Sequence, residues 1–91
     1  MGDNKSIGQI KGPFSENQEI ITSIVEPNYY VKQIGISTKP LKSYFLIING
    51  EEYEIGYTGM YEIGNTKITS LYFLQDMEED TIIDYVLKED N

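Results

Sequence analysis

Carboxylates are the side chains of this sequence best suited to chemistry, and they gather in two places. The run Asp76 to Asp80, DMEED, is the denser, and hard oxygen ligands of that kind bind Ca²⁺. It lacks the spaced Asp/Asn pattern and central glycine of a helix-loop-helix calcium loop, so a solvated connector of at most one helical turn explains it better. Glu52 and Glu54 are a second pair, of the residue type that glycosidases use as acid and base. On a strand they stand side by side at alternate positions, with no cleft of stacking rings to receive a sugar. The eight glycines form no phosphate loop, because G-x-x-x-x-G-K-S/T does not occur; turn geometry explains them. Cys and His are both absent, which removes disulfides, thiol chemistry, cysteine zinc sites and the usual proton shuttle. The residues therefore assign no catalytic group, no metal site and no cofactor, and read as a protein that is not an enzyme.

A chain of 91 residues is one domain with a thin margin of stability, since a domain of this size buries only roughly two-thirds of the surface of its unfolded form. The 40% hydrophobic content, with 8 Tyr, 3 Phe and no Trp, supports a small core but not an enclosed substrate cavity. No apolar run approaches the length of a membrane span and the N-terminus MGDNKSIGQIKG lacks the apolar centre of a signal peptide. The chain thus reads as soluble and cytosolically made. Its net charge of −8, from 15 carboxylates against 7 lysines, argues against non-specific attraction to nucleic acid phosphates. The acid is unevenly placed: residues 1–42 hold 5 Lys and 4 carboxylates, residues 43–91 hold 2 Lys and 11. Such asymmetry either keeps the protein soluble or favours head-to-tail contacts and docking on a basic partner.

The elements that position these groups are mainly strands. Asn49-Gly50, between YFLII and EEYEI, is the strongest local hairpin signal, because a type I′ turn needs positive φ at both central residues. A two-residue loop sets Ile48 opposite Glu51, Leu46 opposite Tyr53 and Tyr44 opposite Ile55 on a core-facing side. Phe45 and Ile47 share the other side with Glu52 and Glu54, which is either a partner surface or a bed for the N-terminal segment. EIITSIVE (19–26) reads as a strand closed by Pro27, Tyr29 to Ser37 as another, and Thr66 to Leu74 as one long inner strand. Met60 to Ile63 and Thr81 to Lys88 complete seven short runs, an all-β, compact antiparallel β-sandwich over residues 19–91. Residues 1–18, broken by Gly12-Pro13, read as a flexible N-terminal arm, either a disordered terminus or a segment that orders on a neighbour with Ile10 and Phe14 as anchors.

The segment from Gly35 to Asp90, with Tyr29, Tyr30, Lys32 and Ile34 before it, carries YY-x-K-x-I-G-I, N-G, I-G-x-T-G-x-Y-E (Ile55 to Glu62), I-T-S-L (Ile68 to Leu71) and I-I-D-Y (Ile82 to Tyr85). In these pieces it resembles small virion structural proteins of phages and prophages of low-GC Gram-positive, clostridial-type bacteria. The resemblance implies a repeated role as a tail, baseplate, neck or capsid-decoration component, made in the host bacterial cytoplasm and located in the virion. Its implied partners are other virion proteins and further copies of itself, a homo-oligomer within a symmetric particle, with no nucleic acid and no membrane. Interface candidates on this reading are Ile10, Phe14, Phe45 and Ile47. Two other classes compete: a carbohydrate- or receptor-binding β-module stacking sugars on Tyr57, Tyr61 and Tyr72, and a small acidic inhibitor of a basic host protein.

Overall fold

Asn49 (φ 52°) and Gly50 (φ 84°) both take the left-handed conformation, so the hairpin turn forms as its residues require. The computed structural model describes residues 5–90, and its elements in chain order are β1 (Lys5–Lys11), α1 (Ile21–Ile24), β2 (Tyr29–Ser37), β3 (Tyr44–Ile48), β4 (Glu51–Ile55), β5 (Tyr61–Ile68), β6 (Leu71–Phe73) and β7 (Ile82–Glu89). They build two antiparallel sheets, one of four strands in the order β1-β7-β2-β5 and one of three in the order β4-β3-β6. The β3–β4 register sets Tyr44 against Ile55, Leu46 against Tyr53 and Ile48 against Glu51. Strand alternation then sends Tyr44, Leu46 and Ile48 inward, to meet Val31, Ile34, Ile36, Ile83 and Leu87 of the larger sheet in one buried cluster. The expected all-β sandwich is the observed fold.

Three stretches differ from the sequence expectation. Residues 5–18 are folded onto the domain and do not form a free arm: β1 pairs with β7 along its whole length, from Lys5 opposite Lys88 to Lys11 opposite Ile82. Beyond it Phe14 exchanges two backbone hydrogen bonds with Met77, at 3.0 and 2.8 Å, and its ring is buried (4% exposed) 5.8 Å from that of Phe73. Residues 1–4 of the expected arm lie outside the described residues. Glu19–Glu26 contains the short helix α1 where a strand was expected. Ile20, Ile21 and Ile24 are all buried, a helical spacing that outweighs the β-branched composition.

Thr66–Leu74 is two strands in place of one, and neither is an inner strand. β5 is an edge of the larger sheet, the chain leaves it at Thr69-Ser70, and β6 joins the smaller sheet. Two distant side chains fix that crossing. The Asn49 amide donates to Lys67 O (3.0 Å), and its oxygen accepts from Thr69 N (2.8 Å) and Ser70 N (3.3 Å). The Glu19 carboxylate accepts from Ser70 Oγ (2.6 Å), Leu71 N (2.9 Å) and Ile21 N (3.0 Å). Residues Asn17 and Ile20 donate backbone bonds to Phe73 O and Leu71 O, covering the outer edge of β6. The open edge of the smaller sheet is therefore β4, guarded by Glu51, Glu52 and Glu54.

Candidate functional site

Opposite bulges in two neighbouring strands build the most distinctive surface of the molecule. Along β2, Val31 pairs with Leu87 and Gln33 with Val86, so Lys32 is an extra residue against β7. Against β5 the mismatch runs the other way: Val31 pairs with Ile68 and Gln33 with Gly64, leaving Asn65, Thr66 and Lys67 opposite the single residue Lys32. A bulge breaks the two-residue alternation. Val31 and Ile34, three apart, both reach the core, and Lys32 and Gln33 fall together on the outer face. Asn65 turns the β5 excursion at φ 58°, a conformation that asparagine tolerates better than most residues.

Lys32 and Lys67 thereby meet Lys88, which stands beside Tyr30 in the β2–β7 register, around an open cleft of about 500 Å³ that Asn65, Thr66 and Asp90 complete. Three of the seven lysines of an acidic chain converge there. Lys67 Nζ lies 3.0 Å from Asp90 Oδ2 and 5.3 Å above the Tyr30 ring centre, while Asp90 N donates to Asn28 O (2.8 Å) and holds the carboxylate in place. Half-exposed on both sides, this pair contributes at most about 1 kcal/mol. Its value is in showing what the cleft accepts: a carboxylate against an ammonium. Among the described residues Lys32 and Lys88 have no such partner.

The opposite outer face, on the smaller sheet, is acidic and apolar. Phe45 faces Glu54 and Ile47 faces Glu52 across β3–β4, while Ile47 faces Tyr72 across β3–β6. Phe45 is 40% exposed and no described part of the N-terminal segment covers it, so this side is not a bed for residues 5–18. The four interface candidates therefore divide. Phe45 and Ile47 stay on the outside, whereas Phe14 is core and Ile10, on β1, packs against that core; both anchor their own domain. The three tyrosines considered as a sugar platform are also separated. Tyr57 is exposed in the β4–β5 loop, Tyr61 packs on the core, and Tyr72 lies on the smaller sheet. In the Asp76–Asp80 run, Met77 is buried and Asp76 Oδ1 accepts from Glu16 N at 2.8 Å; no group of three His, Cys, Asp or Glu among the described residues is placed to hold a metal.

The lysine cleft is nearly invisible in the linear sequence, because its members come from three distant strands. The only local sign is the i, i+3 spacing of Val31 and Ile34 within a run otherwise alternating as a strand. No helix among the described residues is long and apolar enough to cross a membrane. No family model, curated protein or solved structure matches the chain.

Proposed function

We propose that this chain is a non-enzymatic structural protein that works by assembly with other proteins, and that its place is in a phage-type particle, as a tail, baseplate, neck or capsid-decoration component. The observation that carries the assembly reading is where the large apolar side chains remain outside. Ile7 (78% exposed) and Met60 lie on the outer side of the larger sheet, and Phe45 on that of the smaller. Scattered apolar residues are ordinary on a surface, but here they stand beside carboxylates, Phe45 and Ile47 opposite Glu54 and Glu52 on the smaller sheet, Ile7 and Met60 around a hollow with Glu62 and Asp84 on the larger. The polar groups best placed for chemistry are already engaged, Glu19 and Asn49 at the strand crossing and Asp76 at the Phe14 bridge. The virion placement rests on the resemblance of the YY-x-K-x-I-G-I and I-G-x-T-G-x-Y-E segments, since fold alone does not specify function.

The test is to purify particles by density gradient from a host lysate carrying the gene and to probe the fractions with an antibody to this chain. It is expected to band with the particles at a fixed ratio to the major capsid protein and to survive a salt wash. Recovery only in the free-protein fractions would overturn the virion placement.

A further inference from the structure

We propose that the lysine cleft of one copy receives the glutamate-bearing outer face of the smaller sheet of a second copy, joining copies head to tail. This rests on the assembly reading and specifies its contact. The two surfaces belong to the two opposite outer sides of the sandwich and carry opposite sign. Lys32 and Lys88 stand in the cleft with no carboxylate partner among the described residues. Glu52 and Glu54 project from alternate positions of β4, roughly 7 Å apart along the strand. Two clefts facing each other repel, as do two glutamate faces, so charge favours cleft on face over either symmetric pairing.

The Lys67–Asp90 pair shows the chemistry already made once within a single chain. Apolar surface borders the charge on each side, the Tyr30 ring in the cleft and Phe45, Ile47 and Tyr72 around the glutamates, while Ile7 and Val86 lie in a separate hollow with Glu62 and Asp84. A contact of this heterologous kind leaves one cleft and one face unused at the ends of every dimer, so it propagates into rings or filaments. Exposed charge pairs confer register and association rate more than affinity and are screened within about 10 Å at 0.1 M salt. The joint is therefore weak and salt-sensitive when made once, and effective when many copies are held together.

Reciprocal charge reversal tests this with the full chain. Light scattering and sedimentation are run from micromolar to millimolar protein at low and at high salt on wild type, on K32E/K88E, on E52K/E54K and on their equimolar mixture, with circular dichroism to establish that each is folded. Wild type is expected to grow beyond its 10.4 kDa monomer at low salt and to weaken in association by about tenfold or more at high salt. Each variant alone should remain monomeric, and the mixture should assemble again, because each reversed surface then finds its complement. Should either reversal prove unfolded, K32Q/K88Q and E52Q/E54Q replace the pair and must each weaken association. Wild type that stays monomeric at millimolar concentration and low salt, or K32E/K88E that assembles like wild type, would overturn the inference. Loss of assembly in both variants without recovery in the mixture would equally refute this pairing of faces. None of these results bears on banding with particles, which decides the virion placement separately.

Discussion

Asn49 has two roles, one local and one long-range. It supplies positive φ for the hairpin turn, and its amide ties Lys67, Thr69 and Ser70 where the chain passes between sheets. Asn49→Gly keeps the first role and removes the second, while Asn49→Ala loses both. Denaturant unfolding is expected to show losses of about 1–2 kcal/mol for the glycine variant and about 1 kcal/mol more for alanine; equal stability of Asn49→Gly and wild type would show the crossing to be held by other groups. Tyr44 is the converse case, a buried phenol whose hydroxyl has no hydrogen-bond partner among the described residues, although its ring packs edge-on at 5.7 Å from Phe73. Burial, with a smaller contribution from Tyr61, pushes this phenol up to about 12. Between about pH 10 and 12 the unfolded chain has released a proton that the folded chain retains, so stability falls as pH rises, by on the order of 2–3 kcal/mol at the upper limit. Tyr44→Phe should abolish that share of the alkaline loss and leave stability at pH 7 equal or up to about 1 kcal/mol higher. A clear destabilisation at pH 7 would mean the hydroxyl is satisfied after all.

The first segment of the chain, not the hairpin, is the element on which the fold turns. Gly12 N donates to Thr81 O (2.8 Å), and a Cβ at Gly12 would stand 2.3 Å from the Glu78 carbonyl oxygen, so Gly12→Ala forces backbone apart and is expected to cost about 1–3 kcal/mol. Phe14→Ala empties a core position beside Phe73 at about 3–5 kcal/mol. A domain of this length has on the order of 10 kcal/mol in total. Deleting residues 1–18 should therefore unfold the protein, read as loss of its circular dichroism signal and cooperative melting, where release of a free arm would leave the sandwich intact. The hairpin and β2 were legible in the sequence because their information is local: a turn dipeptide, and a dense run of Tyr, Val and Ile. β1 was not, since Gly, Gln and Lys prevail in it and only pairing with β7 makes it a strand. The break at Thr69-Ser70 escaped for the same reason, being imposed by Asn49 and Glu19 from far along the chain. Of the surface features, Phe45 and Ile47 followed from strand alternation, while the lysine cleft depends on a register mismatch that no local pattern encodes.

At the scale of the whole molecule, the larger sheet is closed by pairing of the first and last described strands, β1 and β7. Lys5 stands opposite Lys88 and Lys11 opposite Ile82, and β7 lies between the first strand and β2, so the larger sheet is complete only when the last strand is present. Domains dominated by such long-range antiparallel pairing fold on the millisecond-to-second scale, because loop-closure entropy must be overcome before the contacts form. The same closure brings the ends of the described chain together at one end of the β1–β7 ladder. Joining Met1 to Asn91 through a short Gly/Ser linker and opening the chain at Tyr57-Thr58, in the β4–β5 loop where Tyr57 is 75% exposed, alters no strand pairing. It also converts the slow docking of β1 on β7 into a local hairpin. This permutant is expected to keep the native circular dichroism spectrum and to melt within a few degrees of wild type, with stopped-flow refolding faster than that of the natural chain order. Refolding at an unchanged rate would place the limiting step outside the β1–β7 pairing, in the β2–β5 bulge or the crossing held by Asn49 and Glu19. A permutant that failed to fold would show that β1 cannot register on β7 when the two are joined by a short link.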